Sequence, residues 1–135
     1  MMMLPRKTKF NKAFRGKIKG CDYQVSKLAF GSVGVKALQS GRISAKQLEA
    51  VRKLILKKLK SKTKVWIRIF PYLPVTAKPT EVRMGKGKGS VSYWCCPIHA
   101  GRILFELSDI SLSSRYEILK LIKYKFSVAV KLVYF

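Results

Sequence analysis

The chain has 135 residues, 48% of them hydrophobic, and its 29 Lys and Arg against 6 Asp and Glu give a formal net charge of +23. This hydrophobic content suffices for one domain with a packed core and argues against a disordered basic tail. The charge implies a polyanionic partner. Nucleic acid is favoured over a membrane, because no apolar run approaches the roughly 18 residues that a spanning helix needs.

Residues 1–20 contain seven basic side chains, two phenylalanines and no acid. We predict that they form a basic N-terminal arm that binds RNA, in which Phe10 and Phe14 anchor the arm on the body or stack on bases. The same composition is also typical of a mitochondrial presequence. The candidate RNA-binding residues of the arm are Arg6, Lys7, Lys9, Lys12, Arg15, Lys17 and Lys19.

The first predicted elements of the body are a weak strand and a helix. The β pattern covers Tyr23 to Leu38, with bends expected at Gly31 and Gly34. Ser44, followed three residues later by Gln47, forms a capping box that predicts the start of a helix. Its apolar residues recur at helical spacing and predict a buried side: Leu48, Val51, Ile55 and Leu59. Its lysines form a solvated face or, given the charge of the whole chain, an RNA-binding face: Lys46, Lys53, Lys57 and Lys60.

A strand is predicted over Lys64 to Phe70, followed by an irregular connector that contains three prolines and Lys78. The connector leads into the segment R-M-G-K-G-K-G-S-V-S-Y, from Arg83 to Tyr93. Glycine permits close backbone approach and positive φ, and the alternating lysines add charge. We therefore predict a protruding loop over residues 83–90 that contacts RNA. Its candidate contacts are Arg83, Met84, Gly85, Lys86, Gly87, Lys88 and Gly89.

The remaining pattern predicts strands over Val91 to Ile98 and Arg102 to Leu107, a second helix and a final strand over Val128 to Phe135. The second helix is expected to begin with a capping box formed by Ser114 and Glu117. Together the elements predict an α+β fold for residues 21–135, with two helices on one face of a mostly antiparallel sheet.

The residue types needed for catalysis or cofactor binding are scarce. The spacing of the glycine-lysine segment matches neither a Walker loop nor a dinucleotide fingerprint. Cys95, Cys96 and His99 lack a fourth neighbouring zinc ligand, and Cys96 and His99 face opposite sides of the predicted strand. The odd number of cysteines also argues against disulfides and favours a reducing compartment. We expect no enzyme activity, no metal and no cofactor.

Several segments, in order along nearly the whole chain, resemble large-subunit ribosomal protein sixteen of bacteria and organelles. They are P-R-K-T-K-F from Pro5, F-G-S-V-G-V-K-A-L and G-R-I-S-A-K-Q-L-E-A-V-R within Phe30 to Arg52, K-V-W-I-R-I-F-P from Lys64, P-V-T-A-K-P from Pro74, V-R-M-G-K-G-K-G, Tyr93-Trp94 and G-R-I-L-F-E from Gly101. The glycine-lysine segment and W-I-R-I-F-P are the most specific of these.

The resemblance implies a non-catalytic protein that binds large-subunit rRNA and helps to position tRNA near the aminoacyl-tRNA (A) site and the peptidyl-transferase region. Its expected partners are rRNA, A-site and P-site tRNA and neighbouring large-subunit proteins, and no homo-oligomer is expected. The body residues expected to meet rRNA are Arg42, Lys46, Lys53, Lys57, Arg68 and Lys78. A free-standing RNA chaperone or nucleoid-type protein is the alternative.

The motif at Pro5 leaves only four residues before it, so we expect no cleavable presequence. The cysteine pair and the Lys-, Ile- and Phe-leaning composition favour a mitochondrial member made inside the organelle. A plastid or bacterial ribosome is the alternative.

Overall fold

The computed structural model describes residues 3–59 and 63–134. The predicted Lys60 of the helix surface and Phe135 of the last strand lie outside these residues. The elements follow in the order β1 (Val33–Ala37), β2 (Gly41–Ser44), α1 (Ala45–Lys58), β3 (Val65–Ile67), β4 (Leu73–Ala77), β5 (Ser90–Ile98), β6 (Ile103–Leu107), α2 (Leu112–Lys125) and β7 (Val130–Tyr134). The predicted α+β class is confirmed.

The strands form two antiparallel sheets. The four-stranded sheet has the order β3-β6-β1-β7, and the three-stranded sheet has the order β2-β5-β4. In the first sheet Val35 pairs with Phe105 on one side and with Leu132 on the other. In the second sheet Cys95 pairs with Ser44 and with Leu73. The long strand β5 thus forms the centre of the smaller sheet and leads directly out of the glycine-lysine loop.

One hydrophobic core joins both sheets and both helices. Helix α1 packs on β2 and β5, α2 packs on β7, and the helices contact each other. Leu48, Val51 and Ile55 of α1 are fully buried, as predicted, together with Phe105 of β6 and Ile122 of α2. The body is therefore a rigid support for surface groups on β5 and at the start of α1.

Helix α1 begins as predicted, whereas α2 does not. The Ser44 side chain accepts a hydrogen bond from the Gln47 N–H at 3.2 Å, and the Gln47 side chain accepts one from the Ser44 N–H at 2.9 Å. For α2 the prediction of a cap at Ser114 is wrong, because the N-cap is Ser111 and its side chain makes no capping bond. Glu117 instead pairs with Lys58 Nζ of α1 at 2.9 Å. Several serines precede α2, and local pattern alone does not choose among them.

Two further predictions are corrected by the sheets. The connector after β3 is not irregular throughout, because Pro74 lies inside β4 and pairs with Trp94. An edge strand tolerates a residue without an N–H, and β4 is an edge. Gly34 is not a bend either, since it lies within β1, where an added Cβ would be 2.4 Å from Leu28 Cδ2.

Candidate nucleic-acid interface

The glycine-lysine loop, residues 83–89, is presented to solvent. Residues 83–88 are all exposed, and Met84 is fully exposed. Gly85, Lys86 and Gly87 have φ values of 100°, 53° and 80°. Three successive residues with positive φ curl the chain, and glycine is the residue that adopts such values without strain. The loop is therefore a curled tip that carries exposed backbone amides and cationic side chains.

Two contacts fix the base of the loop. Lys78 Nζ donates a hydrogen bond to the Gly85 carbonyl. At the other end the chain passes close to β4, and a Cβ added to Gly89 would lie 2.4 Å from the Ala77 carbonyl oxygen. Lys78 thus shapes the loop in addition to carrying charge.

The N-terminal arm lies against the loop through a reciprocal pair of hydrogen bonds. Lys12 Nζ donates to the Lys88 carbonyl at 2.8 Å, and Lys88 Nζ donates to the Ala13 carbonyl at 2.6 Å. A second attachment follows, where Arg42 Nη2 donates to the carbonyls of Arg15 and Gly16 at 2.9 and 2.6 Å. We call residues 83–89 together with residues 6–19 the arm–loop unit.

The phenylalanines of the arm do not pack on the body. Phe10 is 70% exposed and Phe14 is 89% exposed. Lys9 Nζ lies 5.5 Å from the centre of the Phe10 ring. Of the two predicted roles, only base stacking is compatible with this exposure. The other cations of the arm are exposed as well: Arg6, Lys7, Arg15, Lys17 and Lys19.

The predicted lysines of α1 are exposed but do not form one site. Lys46 lies in the first turn and lines the same groove as Lys12 of the arm. Lys53 and Lys57 lie further along the helix, and Lys57 is about 16 Å from Lys46 at 1.5 Å of rise per residue. The structure therefore brings Lys46 to the arm–loop unit and leaves the other two on a separate surface.

Arg68 is bound inside the protein. It forms an ion pair with Glu106, whose side chain is fully buried, and its guanidinium lies 5.0 Å from the centre of the Phe30 ring. Glu106 Oε2 also accepts hydrogen bonds from three successive N–H groups, those of Ala29, Phe30 and Gly31, at 3.1, 2.6 and 3.0 Å. Burial raises the pKa of Glu106, but the backbone donors and Arg68 outweigh burial and hold that pKa below its ordinary value. Arg68 thus has a structural role that its place in the sequence did not reveal, and its contact with rRNA stays a prediction.

A family model described as ribosomal protein L16p/L10e matches residues 5–133. The chain belongs to this family. Among its relatives is the large ribosomal subunit protein uL16 of Sinorhizobium medicae (strain WSM419), which is 48% identical over 132 residues, covering 98% of this chain and 96% of the relative. The proteins of the same name from Rhizobium etli (strain CIAT 652) and Rhizobium meliloti (strain 1021) show the same identity and coverage. The resemblance drawn from the motifs is confirmed.

Members of the ribosomal protein L16 family are structural components, so this chain is not an enzyme. The relatives named here are bacterial, which supports the bacterial alternative for its location, and a mitochondrial location stays a prediction.

The cysteines are consistent with packing roles. Cys95 and Cys96 are buried in β5, burial raises the pKa of both thiols, and Cys21 is exposed. Residues 3–59 and 63–134 contain no group of three His, Cys, Asp or Glu side chains arranged to hold a metal ion. In the same part of the chain, neither helix has the length and apolar character to cross a membrane.

Sequence reasoning did not place Tyr93 and Trp94 in the site. Both line the groove between the arm and the body together with Lys12 and Lys46, and Tyr93 is 42% exposed. The available signal was the position of two aromatics directly after a cationic loop, a pattern typical of RNA-binding surfaces.

Proposed function

We propose that the chain is a structural constituent of the large ribosomal subunit that binds large-subunit rRNA and presents its glycine-lysine loop to tRNA near the A site and the peptidyl-transferase region. The observation that carries this proposal is the arm–loop unit, in which an exposed cationic loop is joined to a cationic arm by the Lys12 and Lys88 contacts. Its other partners are P-site tRNA and neighbouring large-subunit proteins.

The unit has the chemistry that phosphate groups require. Within the described residues, Arg83 and Lys86 make no hydrogen bond or ion pair, so their charges are available to a ligand. No carboxylate occurs between Arg83 and Arg102 in the sequence, and nothing nearby repels an anion. Curled backbone with positive φ at Gly85, Lys86 and Gly87 exposes N–H groups, and such amides bind anions. The family membership supports rRNA as the anion.

The two lysines of the loop have different tasks in this proposal. Lys86 is exposed and contacts phosphate directly, whereas Lys88 donates to Ala13 and holds the arm in place. Lys86→Gln should therefore lower the slope of log Kobs against log salt by roughly 0.7–0.9, the value for one lost phosphate contact. The assay is binding of the chain to a large-subunit rRNA fragment at several salt concentrations.

Two control variants make this assay specific. Lys123→Gln on the exposed side of α2 should leave the slope unchanged. Lys88→Met should also lower the NMR order parameters of residues 11–16, because the arm loses one of its attachments. Equal slopes for wild type and Lys86→Gln would show that Lys86 faces solvent in the complex.

Sedimentation separates this proposal from a free-standing RNA chaperone or nucleoid-type protein. A ribosomal constituent stays on large subunits in a one-to-one ratio through a moderate-salt wash, and loss to the soluble pool would contradict the proposal. The same fractions, prepared separately from organelles and from the surrounding cytoplasm, test the predicted mitochondrial location against the bacterial and plastid alternatives.

We also propose that residues 1–20 form the arm and residues 21–135 form one domain. The fully buried core residues all come from the second range, and from the arm only Met3 packs against them. A chain without residues 1–20 should then unfold in one transition and bind rRNA more weakly. Loss of cooperative unfolding would contradict this division.

A further inference from the structure

An open groove of about 650 Å³ lies between the arm and the body, beside the glycine-lysine loop. We call it the arm groove. Its walls include two cations, three polar or aromatic side chains and one half-buried indole: Lys12, Lys46, Asn11, Ser92, Tyr93 and Trp94. This volume falls within the roughly 300–1,000 Å³ of sites that hold small organic groups.

A second recess of about 480 Å³ continues the groove past Lys46 and Tyr93. Both recesses share Lys46, Ser92 and Tyr93, and the second adds Arg42 and Ser127. Neither recess is lined by an Asp or Glu among the described residues. The two together form a continuous, positively charged path with an exposed tyrosine at its middle.

The arm wall of the groove is held in place by the body. Lys12 and Lys88 attach the arm next to the loop, and Arg42 attaches it again at the Arg15 and Gly16 carbonyls. The opposite wall is β5 and the start of α1, whose capping box fixes the first turn. The groove is therefore formed in the free protein, and a ligand does not have to organise it.

We propose that the arm groove binds an unstacked nucleotide of single-stranded RNA. The base stacks on Tyr93, the adjoining phosphates lie between Lys12 and Lys46, and Asn11 and Ser92 provide hydrogen-bonding groups for the base edge. This inference rests on the proposed rRNA binding and adds a nucleotide conformation to it. Aromatic rings in a cationic groove bind unstacked bases of any sequence, whereas the bases of a duplex are already stacked and cannot enter.

Trp94 provides a direct readout. The chain has two tryptophans, Trp66 and Trp94, so Trp66→Phe leaves only the indole in the groove. The probe is a single-stranded oligouridylate of about eight nucleotides, within the 4–16 that single-strand sites cover. In the Trp66→Phe background it should quench Trp94 fluorescence, and a duplex of the same length should quench it much less.

Tyr93→Ala, made in the same background, tests the stacking step. It should weaken oligouridylate binding roughly five- to one-hundred-fold, the range measured for removal of a stacked base. Tyr124→Ala is the matched control, because Tyr124 is 77% exposed on α2 and is not among the residues lining the groove. It should bind like its parent.

The outcomes separate this inference from the proposed function. If Tyr93→Ala and Tyr124→Ala bind the single strand equally, or the duplex quenches Trp94 as strongly as the single strand, the arm groove does not hold an unstacked base. Retention of the chain on large subunits would then still support the ribosomal role. If Trp94 responds to a neighbouring ribosomal protein and not to oligouridylate, the groove is a protein contact and the inference is wrong.

Discussion

Replacing Glu106 with Gln tests whether the buried ion pair supports the fold. Glu106 is fully buried and accepts bonds from Arg68 and from three N–H groups at residues 29–31. Removing one partner of a buried ion pair costs about 3–5 kcal/mol. Gln keeps an acceptor oxygen, and the Arg68 side chain is 20% exposed and so reaches water. We therefore expect the lower end of this range, about 3 kcal/mol of unfolding free energy.

Urea unfolding followed by tryptophan fluorescence measures this loss. With an m value of about 2 kcal/mol/M, the midpoint of Glu106→Gln should fall by about 1.5 M. Glu117→Gln is the matched control, because Glu117 forms an exposed pair with Lys58, and such pairs contribute about 0–1 kcal/mol. Equal midpoints for the two variants would refute the structural role that we assign to Glu106.

The pH dependence gives a second test of the same site. The folded-state pKa of Glu106 lies below the model value of 4.5, so its charged form stabilises the fold above that pH. This contribution is lost as pH falls through the folded-state pKa. The difference in unfolding free energy between wild type and Glu106→Gln should therefore be constant above about pH 5 and shrink on further acidification. A difference that stays constant down to pH 2 would contradict an ionised Glu106.

Three shorter predictions concern other parts of the molecule. Ser44→Ala should cost about 1 kcal/mol in urea unfolding, whereas Ser111→Ala, at an N-cap without a side-chain bond, should cost almost nothing. Gly87→Val places a β-branched residue at φ 80° and should reduce A-site tRNA binding more than subunit assembly; equal losses would contradict a loop contact with tRNA. At pH 8 a thiol reagent should label only Cys21 quickly, since the other two thiols are buried with raised pKa values, and three fast thiols would contradict that burial.

The parts of the fold that local pattern specifies were predicted from the sequence. Helix α1 follows from the spacing of Leu48, Val51 and Ile55 and from a capping box closed within four residues. The loop was predicted to be exposed because glycine and lysine contribute little to a core. The division of the strands between two sheets was not predicted, since strand pairing joins residues distant in sequence, such as Val35 and Phe105.

The contacts that organise the site were missed for the same reason. Lys12 and Lys88 are 76 residues apart, and Arg68 and Glu106 are 38 apart. A lysine or an arginine in a basic chain shows no local sign of whether it faces an RNA or a carbonyl of its own protein. Arg42, predicted as an rRNA contact, donates to Arg15 and Gly16, and only the folded structure shows it.

The internal ion pairs explain how a chain with this charge presents so much of it outward. Five of the six acids are paired within the described residues, and four of these pairs use arginine: Glu49 with Arg52, Glu106 with Arg68, Asp22 with Arg102 and Asp109 with Arg115. The planar guanidinium suits carboxylates and carbonyls at fixed geometry, whereas lysine is a flexible point charge. The acids are thus largely used within the protein, and the exposed lysines meet few carboxylates on the surface. Repulsion among those lysines opposes folding in the free protein, and RNA phosphates relieve it, so binding and stability are linked.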